Sequence, residues 1–226
     1  MSFRLLLEKL GKMLDHSKIK TRLEQLGHNF TQIEDSIFLV YNLFTEKEFE
    51  PLWEIVNNAK QKDWEEDYIQ SQITLAKQKF GRSDLENLVN EGLVEITQHW
   101  LDKAIRIPPL IAVGLSKKID EIFMFKDSGL QPKGLQTIQR QYENSELVEH
   151  NDNDADPTIA YAGVAYLNDD YSDGELYFSN LNIEIKPPAR SFIIFPGGEK
   201  YRHGVRSPGP GRHRYALPTF VSHLQE

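Results

Sequence analysis

The chain has 226 residues, of which 39% are hydrophobic and 27% charged, and its formal net charge is −8. This length suits one large domain or two small ones, and the acidic balance argues against a nucleic-acid partner bound through phosphates. The absence of cysteine excludes disulfide scaffolds, thiolate metal sites and cysteine nucleophiles. Any metal ion must therefore be bound by His, Asp or Glu.

The first residues do not have the pattern of a targeting segment. The apolar run there ends after three leucines, Leu5 to Leu7. A secretory signal has an apolar core of about 7–15 residues, and a membrane span needs about 20. We therefore expect a cytoplasmic protein with no membrane partner.

The first half of the chain, to about Lys126, has mostly a helical pattern of apolar residues. Stripes with a period of 3.6 begin at Leu5 and at Ile19, and Gly27 with the following Asn29 indicates a helix end. The continuous apolar run Ile37–Phe44 predicts a strand.

Two capping-box sequences predict the starts of further helices. Thr45–Glu48 begins one helix, and Ser83–Glu86 begins another that extends towards Ile105. A third helix is predicted over Leu110–Phe125, before which two prolines stop the second. The polar stretch Gln61–Gly81 receives no assignment.

From Leu135 onward the apolar period becomes 2, and turns rich in Asn, Asp, Gly and Pro recur. Eight short strands at close spacing favour a jelly roll or a barrel. The predicted strands are Thr137–Tyr142, Glu146–His150, Thr158–Leu167, Glu175–Phe178, Asn182–Ile185, Ser191–Phe195, Lys200–Val205 and Arg214–Phe220.

The residues that indicate chemistry all lie in this second half. His150 and Asp152 are two positions apart, so on a strand both side chains would lie on one face and could bind one metal ion. The pair alone is weak evidence, and an acidic surface loop is the alternative interpretation. With the later His203 it would form two imidazoles and a carboxylate, the facial triad of non-haem Fe(II) oxygenases.

Two arginines follow on the last predicted strand, where Arg212 and Arg214 share a face. A guanidinium buried in a β-sandwich needs an anionic partner, which a bound dicarboxylate would supply. For Arg212, next to Gly211, solvation is the favoured interpretation. Both arginines belong to a basic segment, Lys200–Arg214, in an otherwise acidic chain.

Taken together, His150-x-Asp152, the later His203 and a following arginine resemble the 2-oxoglutarate- and Fe(II)-dependent dioxygenases, and within them the prolyl 4-hydroxylase-like branch. The resemblance spans roughly residues 36–223. It also includes Ile37–Trp53, Thr137–Asp152, Ala160–Asn168, Asp173–Phe178 and Ile185–Phe195.

This resemblance implies an α+β fold. Its core would be a double-stranded β-helix, or jelly roll, at about residues 135–223, supported by helices from the N-terminal half. We accordingly divide the chain into an N-terminal helical extension, residues 1–35, and a dioxygenase domain, residues 36–226.

The resemblance also implies that His150, Asp152 and His203 bind Fe(II). The enzyme would hydroxylate an unactivated C–H bond, first of all in a prolyl residue of a peptide or protein. It would use 2-oxoglutarate and O₂, release succinate and CO₂, and have ascorbate as a further candidate cofactor.

For the cosubstrate, the resemblance implies that Arg214 binds the distal carboxylate of 2-oxoglutarate. Arg214 is preferred to Arg212 because its Arg-Tyr-Ala-Leu context matches the family's strand. Tyr142 and Tyr166 match positions whose phenols line the 2-oxoglutarate pocket, and ordinary core aromatics are the alternative interpretation.

Three departures from the family pattern stand out. Ala189 and Arg190 replace the glycine expected after Pro187 and Pro188, Pro218 interrupts the last strand, and no peptide-binding residue can be matched. Two other interpretations stay open: a cupin-like metal enzyme that does not use 2-oxoglutarate, and a non-catalytic jelly-roll binding module. A nucleic-acid demethylase of the same superfamily is a third, which the net charge of −8 argues against.

Overall fold

The architecture is that of a computed structural model, which describes residues 16–41, 43–94, 104–134, 137–143 and 145–224. The apolar stripe predicted from Leu5 lies outside the described residues. Among the residues described, no helix combines the length and the apolar character that crossing a bilayer requires.

The helices of the first half largely follow the predicted pattern. The helix predicted after Thr45 is confirmed, since the Thr45 N–H donates to the Glu48 carboxylate at 2.9 Å, one half of the predicted capping box. The third predicted helix is confirmed as well, and the unassigned polar stretch is a 20-residue helix. The helices are α1 His16–Gln25, α2 Glu46–Asn58, α3 Gln61–Phe80, α4 Leu85–Asn90, α5 Pro109–Phe123 and α6 Phe125–Ser128.

The helix predicted from Ser83 towards Ile105 is wrong as one continuous helix, because α4 ends at Asn90; residues 95–103 of that prediction lie outside the described residues. Gly92 has a positive φ of 71°, and its N–H donates to the Val89 carbonyl at 3.0 Å. Such a left-handed glycine ends a helix by satisfying its last carbonyls. Ile105 lies instead in a short strand and pairs with Ile138.

The predicted strands of the second half are confirmed as β5 to β12, with one shortened because Glu199–Tyr201 is a 3₁₀ turn. The strand predicted at Ile37 is β2, but Asn29, predicted to end a helix, begins β1. The strands are β1 Asn29–Glu34, β2 Ile37–Tyr41, β3 Ala104–Arg106, β4 Leu130–Gly134, β5 Thr137–Gln141, β6 Leu147–His150, β7 Ile159–Tyr166, β8 Leu176–Phe178, β9 Ile183–Ile185, β10 Phe192–Pro196, β11 His203–Val205 and β12 Arg214–His223.

Within the described residues these strands form two antiparallel sheets. The major sheet has the order β1-β2-β10-β7-β12-β5-β3, with β4 also paired to β12, and the minor sheet has the order β6-β11-β8-β9. Alternate residues of β10 divide the core: Phe192 packs with the helices on one face, and Phe195 packs between the sheets on the other. The helices thus support the major sheet, and the opposite face of that sheet meets the strands that carry the site.

Pro218 does not interrupt the last strand, since β12 continues through it to His223. The Tyr215 carbonyl accepts a hydrogen bond from Leu167 at 3.0 Å, so the backbone of alternate residues faces β7. The nitrogen of Pro218 therefore lies on the other flank, between the segments that pair with β5 and with β4. The missing N–H thus lies outside the described residue pairs that β12 forms with β4 and β5, so none of these pairs loses a donor.

Candidate metal centre

Two histidines meet across the minor sheet. His150, at the end of β6, is the register partner of His203, at the start of β11, and Leu147 pairs with Val205. Val148 and Glu149 thus lie opposite the single residue Gly204, which makes a β-bulge in β6. A bulge re-aims the next side chain, and here it directs His150 towards His203.

Both imidazoles are oriented by backbone carbonyls. His150 Nδ1 lies 2.8 Å from the Val148 carbonyl oxygen, and His203 Nδ1 lies 3.0 Å from that of Tyr201. A carbonyl only accepts, so each Nδ1 carries the proton and donates it. Each Nε2 then keeps its lone pair, as a metal-binding imidazole requires.

The third group of the cluster is Asp152. Its carboxylate oxygens lie 3.7 Å from His150 Nε2 and 3.8 Å from His203 Nε2. Ligand atoms of the three residues all lie within 4.8 Å of one another. Asp152 is 7% exposed, and its Oδ2 has no hydrogen-bond partner. An unpartnered carboxylate oxygen at this depth is costly without a cation, so the donor set fits a metal ion.

The prediction that Asp152 shares a strand with His150 is wrong in one detail. Asp152 is the first residue of a short helix, α7 (Asp152–Ala155). The intervening Asn151 is still extended, with φ −108° and ψ 140°. This conformation maintains the alternation of a strand for one more residue, so both ligands lie on one side.

The two histidines sit in different surroundings. Phe195 and Phe178 pack against His203, with ring centroids 4.6 and 5.8 Å away, and burial lowers its pKa. His150 is more exposed, and the neighbouring Asp152 carboxylate raises its pKa. His203 is therefore held neutral in the apolar interior, while His150 borders the solvent.

Arg214 lies at the start of β12 and is 6% exposed. Its Nη1 donates to Gln141 Oε1 at 3.2 Å, and its guanidinium lies 4.8 Å from the ring centroid of Tyr166. Its Nε has no acceptor, and among the described residues no carboxylate forms an ion pair with it. A buried guanidinium without an ion-pair partner makes this position a candidate site for an anion.

The other cations of the basic segment have their charges balanced within the chain. Arg212 is exposed and pairs with Asp170 at 3.2 Å, and its interpretation as a surface residue fits this geometry. Similar pairs are Lys200–Glu34, Arg202–Glu149 and Arg206–Glu184. The basic segment therefore does not act as a whole, and Arg214 is its buried cation.

The structure brings one of the two candidate tyrosines to Arg214. Tyr166 is fully buried between the sheets, and its hydroxyl has no hydrogen-bond partner. Tyr142 packs against His213, with ring centroids 4.5 Å apart, and lies under the Arg140 guanidinium at 4.8 Å. The candidate anion pocket therefore includes Arg214 and Tyr166, and the role of Tyr142 stays a prediction.

A further tyrosine, Tyr171, was not singled out from the sequence. It is 3% exposed, and its hydroxyl has no partner within hydrogen-bonding distance although it lies beside the Arg214 guanidinium. Burial raises its pKa well above the usual range, so the phenol stays protonated and can donate. The sequence offered one signal for Tyr171: it is an aromatic residue inside a turn rich in Asp and Gly, where a large apolar side chain is unusual.

No protein-family model and no functionally curated protein matches this sequence. Solved structures do match. A viral collagen prolyl hydroxylase from Paramecium bursaria Chlorella virus-1, in complex with 2-oxoglutarate, is 14% identical, with 83% of this chain and 96% of that chain covered and a TM-score of 0.53.

Two cellular proteins give similar values. A prolyl-4-hydroxylase from Pseudomonas putida is 14% identical, with 92% of this chain and 100% of that chain covered and a TM-score of 0.52. A Trichoplax adhaerens prolyl hydroxylase is 13% identical, with 99% and 94% covered and a TM-score of 0.52. The chain has the fold of these prolyl hydroxylases. The predicted α+β class with a double-stranded β-helix core is thereby confirmed.

Proposed function

We propose that the protein is a non-haem Fe(II)- and 2-oxoglutarate-dependent dioxygenase that hydroxylates an unactivated C–H bond. The observation that carries the proposal is the convergence of two unprotonated imidazole nitrogens on one buried carboxylate. Two imidazoles and one carboxylate suit Fe(II) and leave other coordination positions open.

His150, Asp152 and His203 would hold the metal. When bound, Fe(II) supplies the site for O₂ activation and for oxidative decarboxylation of 2-oxoglutarate to succinate and CO₂. The chain contributes orientation: both histidines are fixed through Nδ1, and Asp152 is held in the buried turn after β6. Such outer hydrogen bonds set the tautomer and direction of the metal-binding nitrogen.

The anion pocket would hold the distal carboxylate of 2-oxoglutarate. Arg214 presents a planar guanidinium suited to bidentate binding of a carboxylate. The ring of Tyr166 lies 4.8 Å from the guanidinium and Tyr171 lies beside it, and the hydroxyls of both tyrosines have no hydrogen-bond partner. Binding a dicarboxylate here would satisfy three buried groups at once, which is why we place the anion at this point.

The residues between the two sites exclude water. Tyr166, Phe178 and Phe195 belong to one buried cluster between the sheets, and the two phenylalanines contact His203. Shielding of this kind limits side reactions of a strong oxidant with solvent. The apolar cluster thus joins the ligand set to the anion pocket without opening it to water.

For the substrate, we propose a prolyl residue in a peptide or protein. The support is the fold shared with prolyl hydroxylases, one of which is in complex with a hypoxia-inducible-factor peptide fragment. Because 36% of the His150 side chain is exposed, a peptide substrate could reach the proposed metal site from the surface of the minor sheet. Ascorbate dependence and a cytoplasmic location stay predictions.

Anaerobic reconstitution tests the proposal. Fe(II) and 2-oxoglutarate are added to the protein, and we expect a weak visible charge-transfer band that Arg214→Gln diminishes. Admission of O₂ with a panel of proline-containing peptides should then yield succinate and a peptide heavier by one oxygen atom. Absence of both the band and succinate formation would contradict the assignment.

The same experiment separates the alternatives. A cupin-like enzyme would bind the metal, but 2-oxoglutarate would produce no band and no turnover. A binding module would retain no stoichiometric Fe or Mn, and His150→Ala would leave its behaviour unchanged. Arg214, which has no ion-pair partner among the described residues and lies beside two tyrosines with unbonded hydroxyls, favours the dioxygenase over both.

A further inference from the structure

Two charged residues immediately precede the two histidine ligands and pair with each other. Glu149 precedes His150, and Arg202 precedes His203. Arg202 Nε lies 2.9 Å from Glu149 Oε1, and Arg202 Nη2 donates to the Glu149 carbonyl oxygen at 3.5 Å. The pair thus joins β6 to β11 directly beside the histidines.

A second connection starts from Asn151, the residue between His150 and Asp152. Asn151 is 4% exposed, and its Nδ2 donates to the Glu199 carboxylate. Glu199 begins the 3₁₀ turn Glu199–Tyr201, and the Tyr201 carbonyl accepts the hydrogen bond that orients His203. Asn151 therefore links the turn that carries two ligands to the turn that orients the third.

The two connections join and are supported from a third segment. Arg202 Nη1 lies 3.9 Å from Glu199 Oε2. Ser179 Oγ donates to Glu149 Oε1 at 2.6 Å, and Asn180 Nδ2 donates to the Glu199 carbonyl oxygen at 2.8 Å. The result is a continuous polar network across the outer side of the site.

We infer that this network, the ligand clamp of Glu149, Asn151, Glu199 and Arg202, holds the three proposed ligands at metal-binding spacing. Its members are positioning residues, since none of them supplies a ligand atom to the cluster. Strand pairing and the two Nδ1 hydrogen bonds already fix the two histidines relative to each other, and the network adds a link between the turn after β6 and the turn before β11. This inference rests on the proposed metal centre.

The chain offers a matched control. Arg206 and Glu184 form an ion pair at 3.1 Å with comparable exposure of both side chains, also in the minor-sheet region. Neither residue adjoins a proposed ligand in sequence. A general loss of surface ion pairing would affect both pairs alike, whereas a positioning role is confined to the clamp.

The test is the binding of Co(II) to the full chain in the absence of 2-oxoglutarate. Calorimetry measures the Kd, and the Co(II) absorption spectrum reports the geometry of the site. We expect Asn151→Ala and Arg202→Gln to raise the Kd for Co(II) about 10–100-fold, the usual effect of removing such outer-shell partners. Arg202→Lys should recover part of the affinity, and Arg206→Gln should stay within about twofold of wild type.

Glu199→Ala provides a second route, because 73% of that side chain is exposed and its removal leaves the core intact. Its effect on Kd should be less than additive with that of Asn151→Ala, since the two share one hydrogen bond. Wild-type Kd values and Co(II) spectra in folded clamp variants would overturn the inference alone. A wild-type chain that binds no Co(II) would overturn the proposed function with it.

Discussion

The imidazole rings of His150 and His203 lie 4.6 Å apart, centroid to centroid, as direct partners across β6 and β11. They differ in depth: 36% of the His150 side chain is exposed, against 6% for His203. The two histidines have the same proposed role as metal ligands, but only His203 is part of the buried core.

This inequality predicts different effects on stability. In the presence of a chelator, His203→Ala should lower the free energy of unfolding by about 2 kcal/mol, because it leaves a cavity beside Phe178 and Phe195. His150→Ala should change it by no more than about 0.5 kcal/mol. Urea unfolding measures both, and equal losses would contradict the difference in packing.

Substitution of Arg214, at the start of β12, and of Arg212, just before it, should affect the Kd for 2-oxoglutarate differently. Arg214→Gln should raise the Kd for 2-oxoglutarate about 100-fold, since truncating one partner of a buried charge pair costs about 3 kcal/mol. Arg212→Gln is the control and should leave the Kd unchanged, because Arg212 pairs with Asp170 at the surface. Anaerobic titration of the metal-loaded protein measures both. A larger effect at Arg212 would reverse the assignment.

The buried tyrosine hydroxyls should matter for ligand binding but not for the stability of the ligand-free protein. Tyr171→Phe and Tyr166→Phe should each raise the Kd for 2-oxoglutarate about tenfold, the loss of one hydrogen bond to a charged group. Without ligand, the free energy of unfolding should not fall by more than about 0.5 kcal/mol, because each hydroxyl lacks a partner.

Tyr41→Phe is the matched control for these two variants. Its hydroxyl hydrogen bonds with Thr31 at 3.0 Å on the β1–β2 hairpin, so the Kd should stay at the wild-type value. An unchanged Kd in Tyr171→Phe would remove that residue from the pocket while leaving Tyr166 and Arg214 in place.

Acid should weaken the connection between α7 and β7. The pKa of Asp156 is lowered from 3.8 to about 2, mainly by its hydrogen bond with Lys133 and then by its hydrogen bonds with Thr158. Because the folded-state pKa is the lower one, the stabilisation is present above about pH 4 and is lost as the pH falls towards 2. Asp156→Asn and Lys133→Gln should both flatten the fall in urea midpoint over this window. A wild-type slope in either would contradict this origin.

Two glycines give a matched test of packing. A Cβ at Gly163 in β7 would lie 2.3 Å from Phe192 Cζ, so Gly163→Ala should lower the free energy of unfolding by about 3 kcal/mol. Gly114 in α5 has open space around it, and Gly114→Ala should raise the free energy by about 0.5–1 kcal/mol. Thermal unfolding checks both signs.

Periodicity predicted the second half of the fold well, because β7, β10 and β12 place alternating apolar residues on two buried faces. It failed where few residues are buried. The polar helix α3 has Trp64 and Ala76 buried among its described side chains, and these two positions, twelve residues apart, are surrounded by charged and amide residues that obscure an apolar stripe. Strand β4 contains Pro132, which argues against a strand in the sequence, and it pairs with the edge of β12 that faces away from β7.

The ligand residues could be singled out from spacing and resemblance, but their surroundings could not. The role of Tyr171 depends on a turn folding back to Arg214, and the clamp depends on a hydrogen bond between Asn151 and Glu199, which are far apart in sequence. Such contacts follow from tertiary structure and have no periodic pattern. Likewise, pairing with Asp170 distinguishes Arg212 from Arg214 only once the chain is folded.

Pro218 makes one long strand serve two separate purposes. Residues of β12 before it pair with β5 and carry Arg214, and residues after it pair with β4 and support the sheet. Because proline has no backbone N–H, the position between these two paired segments of β12 leaves no donor without a partner. We therefore expect substitutions in β5, which pairs with the part of β12 that carries Arg214, to leave the pairing of β4 with the rest of β12 intact.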